Sequence, residues 1–127
     1  MTDSQALNLR GIIPACVVTF DERGRFDESA YRRYLQWLLP QGPVGLAINA
    51  DTGEGPHLWP DERERVLKVA VDEADKAGVP VIAGLSAMFT AQAVEEAKRA
   101  EAAGADAYIS KPFSAIDLLD VVEGLSA

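Results

Sequence analysis

Short apolar runs alternate with longer segments of helical period four times along the chain. The runs cover Ile12–Phe20, which is rich in β-branched residues, Val44–Ala50, Val79–Ser86 and Ala105–Ser110. Each run leads into a turn and then into a stretch whose apolar residues recur every three or four positions. Strands that alternate regularly with helices predict βαβ units, a parallel sheet and right-handed crossovers. The pattern therefore predicts an α/β protein with four parallel strands.

Capping residues indicate where the predicted helices begin and end. Asp27 is placed to cap the first helix, Pro60 to begin the second and Thr90 to cap the third. Ser114, with Asp117 three residues later, resembles a capping box for a last helix. The first three helices are predicted to stop at glycines, namely Gly42, Gly78 and Gly104. The second helix is predicted to bury the stripe Val66, Leu67, Ala70, Val71 and Ala74.

Length and composition predict one α/β domain over residues 1–127, since no linker or low-complexity segment divides the chain. The apolar fraction of 48% and the charged fraction of 25% are ordinary for a globular protein. A net charge of −8 argues against non-specific binding of nucleic acid or anionic lipid. The N-terminus lacks a signal-peptide pattern and no apolar run is long enough to span a bilayer, so a cytoplasmic protein is expected.

The residues that bind metals and cofactors are scarce in this sequence. Cys16 is the single cysteine and His57 the single histidine, which excludes a disulfide framework and argues against a cysteine or multi-histidine metal centre. The chain contains neither a P-loop nor a dinucleotide-binding glycine fingerprint. No metal and no cofactor is therefore expected.

Four features occur in an order and spacing that point to a known family. They are the opening strand ending VVTF with its DERGRFD continuation, the NADTGE loop, the helix start LWPDERERV, and VPVIAGLS before FTAQAVEEAKRAEAAGAD. From about Leu9 to Ala107 the sequence resembles the first half of a barrel of the dihydrodipicolinate synthase and N-acetylneuraminate lyase family. The resemblance implies a (βα)8 barrel considerably longer than this chain, of which strands one to four are present here.

The C-terminal segment resembles a different family. GADAYISKPFSAIDLLDVVEGLSA, from about 103 to 127, is similar to the end of response-regulator receiver domains. There, a lysine followed by proline and an aromatic residue closes the last strand, and an amphipathic helix follows. The two resemblances together indicate a chimera, engineered or recombined, that joins a half barrel over residues 9–102 to a receiver-like terminal βα unit. A natural truncated homologue is the alternative.

The two resemblances imply different sheet orders. A half barrel places its four strands in the order 1-2-3-4, whereas a flavodoxin-like, doubly wound sheet has the order 2-1-3-4. Periodicity does not distinguish them. The half barrel is the leading expectation and the doubly wound sheet is the alternative.

Lys111 is the alternative catalytic residue. The barrel family resemblance implies a lysine on strand six that forms an imine with a 2-oxo acid, and a tyrosine on strand five that relays protons. Lys111 follows the fourth predicted strand, so it does not match that lysine. A lysine at the carboxyl end of a parallel strand still faces the usual active-site edge, and desolvation would make it nucleophilic. The leading interpretation is a solvated lysine at the rim without a catalytic role.

The NADTGE loop is the alternative substrate-binding element. The family usually carries Gly-Thr-Thr-Gly-Glu here, which the resemblance implies holds the carboxylate of a 2-oxo acid. Thr52, Gly53 and Glu54 match that pattern, whereas Asp51 replaces the first threonine and places a like charge beside an anionic ligand. A purely structural turn is the leading interpretation. His57 follows this loop and has no partner that the sequence identifies.

Signalling through an aspartyl phosphate is not supported. The third predicted strand ends AGLS, without the aspartate that receiver domains phosphorylate. Asp21 and Glu22 follow the first predicted strand but belong to the DERGRFD turn of the barrel family. Lys111 is then a phosphate contact without a phosphorylation site.

Two hypotheses of function follow. The leading one is a chimeric α/β scaffold without a dedicated catalytic activity, and therefore not an enzyme. The alternative is a pyruvate-dependent aldolase or lyase of the dihydrodipicolinate synthase family, truncated or vestigial, with Lys111, Thr52, Gly53 and Glu54 in its site. Incubation with pyruvate and borohydride discriminates between them, because an imine is trapped as a covalent adduct.

The inner sheet face generates the first testable prediction, homodimerisation. A half barrel leaves an apolar concave face and open strand edges in water. Burying about 500 Å² of that face at roughly 25 cal/mol per Å² is worth on the order of 12 kcal/mol before ordering costs. Two copies are therefore expected to pair, and folding of the final helix over this face is the alternative. Gel filtration or light scattering measures the pairing. A monodisperse monomer at high micromolar concentration would contradict this prediction.

Overall fold

The computed structural model describes residues 7–111 and 123–124. Three parallel strands form one sheet in the order β1-β2-β3, which confirms the predicted α/β class. Short 3-10 turns lie at Leu39–Gln41, Asp51–Gly53 and Gly55–His57. In chain order, the helices and strands are α1 (Glu28–Leu38), β1 (Leu46–Ile48), α2 (Pro60–Ala77), β2 (Val81–Ser86), α3 (Thr90–Ala102) and β3 (Ala107–Lys111).

The first predicted strand contacts the sheet without becoming a full strand. Ala15 forms a single parallel bridge with Ala47, and the Cys16 N–H donates to the Ala47 carbonyl at 3.0 Å. The Ala47 N–H in turn donates to the carbonyl of Pro14 at 3.0 Å. Pro14 has no N–H of its own, so it cannot donate in a continuous ladder. The expected four-stranded sheet is thus a three-stranded sheet with this segment beside β1.

The pairing of β1 with β2 rules out the doubly wound order for these strands. Leu46 is paired with Val81 and Ile48 with Ala83, so no other strand lies between β1 and β2. The order 2-1-3-4 requires the first predicted strand in that position. The alternative of a flavodoxin-like sheet is therefore wrong, and the parallel sheet fits part of a barrel.

The helix boundaries follow most of the predicted caps. Asp27 Oδ1 accepts a hydrogen bond from the Ala30 N–H at 3.0 Å, and Pro60 is the first residue of α2, as predicted. The predicted cap at Thr90 is wrong because Phe89 holds the N-cap position and Thr90 is already helical. Gln92 Oε1 accepts from the Met88 N–H at 2.9 Å and so satisfies a donor just before α3. The glycines predicted as stops lie where the helices end, at Gly42, Gly78 and Gly104, all with positive φ.

The core lies between one face of the sheet and the helices. Burial alternates along β1 and β2, so that every second residue joins a core cluster that also contains residues of α1, α2 and α3. The predicted α2 stripe is buried except for Val71, which is half-buried. Residues with almost no exposed surface in this layer are Tyr31, Leu35, Leu46, Ile48, Val66, Ala70, Ala74 and Val81. On the opposite face Ala47 and Ile82 remain half-buried.

Some predictions fall outside the residues that the structure describes. The capping box of Ser114 with Asp117, the last helix and the side chain of Lys111 belong to this group. Among the residues described, no helix combines the length and the apolar character needed to cross a bilayer.

A buried carboxylate joins α1 to α2. Glu73 is 4% exposed, and its Oε1 lies 2.8 Å from Nη1 of Arg32 on α1 and 3.2 Å from Nζ of Lys76. Gln36 also donates to this carboxylate, at 3.4 Å. Burial by itself raises the pKa of Glu73, but the hydrogen bonds from Arg32, Lys76 and Gln36 outweigh it and lower the pKa below its ordinary value.

The second prediction concerns this carboxylate. Replacing Glu73→Gln should lower the free energy of unfolding by about 1–3 kcal/mol, because charge-assisted hydrogen bonds to Arg32 are lost. Since the pKa of Glu73 is lowered on folding, its contribution is present above the unfolded pKa of about 4.3 and is lost as the pH falls through the folded value. Urea denaturation from pH 7 to pH 3 should therefore show a difference between the two proteins that shrinks in acid.

Glu64→Gln is the matched control on the same helix. Glu64 pairs with Lys68 at 2.8 Å, but its side chain is 42% exposed. Its removal should change the free energy of unfolding by less than about 1 kcal/mol. Equal losses for the two variants would contradict a special role for Glu73.

Candidate ligand-binding site

The loop after β1 turns back sharply at Asn49. This residue is 5% exposed and has a left-handed backbone with φ of 60°. Two 3-10 turns follow, and the carbonyl of Ala50 accepts hydrogen bonds from the N–H groups of both Gly53 and Gly55, at 3.0 and 3.1 Å. The result is a compact loop at the carboxyl end of β1.

Glycines let this loop lie directly on neighbouring backbone. A Cβ atom at Gly53 would overlap the carbonyl oxygen of Cys16, and one at Gly55 would overlap the carbonyl oxygen of Asn49. A Cβ at Gly84 of β2 would lie 2.7 Å from that same Asn49 oxygen. The loop is therefore held at a fixed position by contacts that larger residues would prevent.

Thr52 lies at the surface of this loop. Its side chain is exposed, and within the described residues neither its hydroxyl nor its main-chain N–H makes a hydrogen bond. Both groups are donors at the start of a turn, where orphan N–H groups favour an anion. Of the three candidate binding residues, Thr52 therefore presents donors on a constrained backbone, whereas the Gly53 N–H already donates to the Ala50 carbonyl.

Glu54 and His57 form a pair that the sequence did not identify. Glu54 has a left-handed backbone with φ of 66°, and its Oε2 lies 2.9 Å from Nδ1 of His57. The His57 side chain is 71% exposed and that of Glu54 48% exposed. Three residues separate them along a 3-10 turn, which brings such side chains together. The Glu54 carboxylate therefore has a partner within the loop.

Lys111 lies at the same edge of the sheet as the loop. Its main chain pairs with Ser86 at the carboxyl end of β2, while β1 ends at Ile48 opposite Ala83. Because carboxyl ends of parallel strands share one edge, the loop and the Lys111 backbone lie on the same side of the sheet.

Glu62 is a buried carboxylate whose structural role was not predicted from the sequence. It is 4% exposed, and it accepts from the Phe26 N–H at 2.9 Å and from the Trp59 N–H at 3.4 Å. The indole of Trp59 has no acceptor, so only the half of the capping box contributed by Glu62 exists. The sequence signal was a Glu at the third position of α2, two residues after Pro60. This contact ties the DERGRFD turn, in which Asp21 accepts from two main-chain N–H groups, to the start of α2.

Two other features of the described residues do not form a reaction site. Burial raises the pKa of the Cys16 thiol to about 12, so it stays protonated near neutral pH. Within the same residues no group of three His, Cys, Asp or Glu side chains is arranged to hold a metal ion.

A cavity of about 20 Å³ lies between β1, β2, α2 and α3. It is far smaller than the roughly 300–1,000 Å³ of sites for small molecules. The candidate site is the carboxyl edge of the sheet with its loop, where Thr52 presents its donors.

The fold and this loop define an α/β protein whose candidate site lies at the carboxyl ends of parallel strands. Residues 8–113 match the Dihydrodipicolinate synthetase family, and the chain belongs to this family.

Relatives with curated names are enzymes of this family. The 4-hydroxy-tetrahydrodipicolinate synthase of Methylobacterium radiotolerans is 43% identical over 121 residues, which cover 91% of this chain and 40% of the relative. The protein of that name from Brucella abortus is 45% identical over 111 residues, covering 82% and 37%. The chain thus spans about 40% of the length of the first of these relatives.

Solved structures show the same relation. A putative dihydrodipicolinate synthetase from Pseudomonas aeruginosa superposes with a TM-score of 0.76 at 28% identity, covering 91% of this chain and 41% of that one. YagE, a prophage protein of the dihydrodipicolinic acid synthase family from E. coli K12, was solved in complex with pyruvate. It gives a TM-score of 0.73 at 26% identity and covers 91% and 40%. The described sheet and helices therefore correspond to part of a barrel of this family.

These findings correct three predictions. The family match continues through Lys111, Pro112 and Phe113, and it supports neither a receiver-like unit nor a chimera. A Lys-Pro-aromatic run is short and suits the end of a parallel strand in either fold. The leading hypotheses of a chimeric scaffold without catalytic activity and of a non-enzyme are contradicted, because the relatives are synthases.

The third prediction tests how the loop is held. Gly55→Ala should lower the free energy of unfolding by about 1–3 kcal/mol, because the new Cβ overlaps the Asn49 carbonyl and forces the backbone to shift. Gly45→Ala is the control. Gly45 is also buried, but its nearest neighbours would lie 3.5 Å or more from a Cβ. Urea denaturation that gave equal losses for the two variants would contradict the packing argument.

Proposed function

We propose that this chain supplies the amino-terminal part of a pyruvate-dependent aldolase or lyase of the dihydrodipicolinate synthase family. In this proposal the loop carrying Thr52, Gly53 and Glu54 binds the carboxylate of a 2-oxo acid. The observation that carries it is the pair of free Thr52 donors on a loop fixed at the carboxyl edge of the sheet. The same proposal includes a four-strand order of 1-2-3-4, supported by the bridge between Ala15 and Ala47.

The chemistry of the loop supports a carboxylate ligand. A hydroxyl and a main-chain N–H both donate, and hydrogen bonds to an ionised acceptor are the strong ones. YagE, a relative of known structure, was crystallised with pyruvate, the simplest 2-oxo acid. The names of the curated relatives also indicate a synthase. A small 2-oxo acid is therefore the ligand that the loop suits best.

Asp51 distinguishes this loop from the usual family pattern. The family resemblance implies threonine at this position, and Asp51 is exposed here. Two like charges about 4 Å apart repel by about 1 kcal/mol in water. The loop is therefore expected to bind pyruvate several-fold more weakly than a loop with two threonines.

The nucleophile has two candidate sources. One is Lys111, whose main chain lies at the same edge as the loop. The other is the lysine that the family resemblance implies on a sixth strand, a part of the relatives outside the matched segment. Assembly with a second copy and a cytoplasmic location stay predictions.

The fourth prediction tests binding and imine formation together. Pyruvate should shift the amide resonances of Thr52 and Gly53, and Thr52→Val should weaken this binding about tenfold because one charge-assisted hydrogen bond is lost. Thr90→Val, which removes another exposed hydroxyl, is the control and should leave the affinity unchanged. Absence of any pyruvate-dependent shift at millimolar concentration would overturn the proposal for this loop.

Borohydride then decides between the two sources of the nucleophile. After incubation with pyruvate and borohydride, intact mass spectrometry should show one adduct if Lys111 attacks the carbonyl carbon. The adduct should disappear in Lys111→Ala. Binding without an adduct would assign the nucleophile to a lysine outside the matched segment.

A further inference from the structure

Arg63 contacts both ends of the candidate loop. Its carbonyl accepts from Nδ2 of Asn49 at 3.1 Å, at the point where β1 ends. Its Nη1 donates to the carbonyl of Leu58 at 3.1 Å, immediately before the start of α2. One residue on the first turn of α2 therefore fixes the separation between the beginning and the end of the loop.

The same guanidinium also joins the loop to α3. Its Nη2 lies 3.2 Å from Oε1 of Glu96, and the two side chains are only 13% and 17% exposed. A planar guanidinium offers several donors in a rigid fork, so it can bind the Leu58 carbonyl and the Glu96 carboxylate at once. A lysine presents its donors from a single nitrogen and cannot reproduce this arrangement.

The loop needs such an external constraint. It contains two non-glycine residues in the left-handed region, Asn49 and Glu54. Asparagine adopts this region readily, whereas for Glu54 it costs about 1–2 kcal/mol relative to ordinary backbone. In its first half, the main-chain hydrogen bonds end on Ala50 and Asp51. Backbone of this kind persists only where surrounding contacts determine it.

From these contacts we infer that Arg63 is a positioning residue for carboxylate binding, which acts by holding the loop that presents Thr52 and does not itself touch the ligand. This inference rests on the proposed function for its consequence in binding. Its structural content, the restraint of the loop by Arg63, stands independently of any ligand. The sequence motif of the loop and its glycines do not by themselves indicate that a residue of α2 restrains it.

The fifth prediction measures the restraint without a ligand. The amides of Gly53, Glu54 and Gly55 donate hydrogen bonds within the loop. In Arg63→Lys they should exchange with solvent about tenfold faster, because the loss of one hydrogen bond lowers the free energy of loop opening by about 1 kcal/mol. NMR hydrogen exchange at neutral pH measures this. Exchange of the loop amides should be faster still in Arg63→Ala, so that the lysine variant gives a rate between those of the alanine variant and the unsubstituted protein. If Arg63→Ala does not fold, the lysine variant alone is sufficient.

Arg65→Lys is the matched control, two residues further along the same helix. Arg65 pairs with Glu28 at 3.0 Å and lies over the Phe26 ring, away from the loop. Its replacement by lysine should leave the loop amides unchanged. Equal exchange of the loop amides in Arg63→Lys and Arg65→Lys would overturn the inference.

The binding measurement separates this inference from the proposed function. Pyruvate should bind Arg63→Lys about tenfold more weakly than it binds Arg65→Lys, since the Thr52 donors are held less firmly. If the unsubstituted protein binds no pyruvate, the proposed function fails, and hydrogen exchange still decides whether Arg63 restrains the loop. Faster exchange with unchanged pyruvate affinity would contradict the positioning role.

Discussion

The close approach of backbone to the Asn49 carbonyl is the constraint on which the site depends. Gly55, from the following turn, and Gly84, from the neighbouring strand, both lie where a Cβ would collide with this oxygen. Because neither has a side chain, the chain can reverse at Asn49 and still pair β2 with β3. The Asn49 amide is then in reach of the Arg63 carbonyl, so strand, loop and helix are joined at one residue.

Helix α2 stabilises this arrangement through buried carboxylates in a chain with a net charge of −8. Glu62 accepts main-chain N–H groups from the turn before α1 and from Trp59, while Glu73 accepts from Arg32 of α1. A buried carboxylate is costly unless donors surround it, and here each has at least two. The acidic composition is therefore compatible with a stable core, since both buried carboxylates of the described residues have hydrogen-bond donors.

Periodicity and glycine positions predicted the alternation of strands and helices because these signals are local. The first predicted strand forms only one bridge, since Pro14 interrupts its hydrogen bonding. The N-cap of α3 lies at Phe89, one residue before the predicted Thr90, and Gln92 accepts from the Met88 N–H there. The loop residues Thr52 and Gly53 were identified from their motif. Asn49, Glu62 and Arg63 were not, because their roles arise from contacts between segments distant in sequence. The Lys111 segment was misassigned because three residues carry little information about a whole unit.

The exposed position of Trp59 makes it useful as a probe. Its indole is 65% exposed at the end of the candidate loop, whereas the other tryptophan, Trp37, stacks on Tyr34 of α1 with ring centroids 6.5 Å apart. The molecule thus carries a native fluorophore at the end of the loop and a second one on α1. With Trp37 replaced by phenylalanine, emission from the remaining indole would report motion or occupancy at the loop without any attached dye.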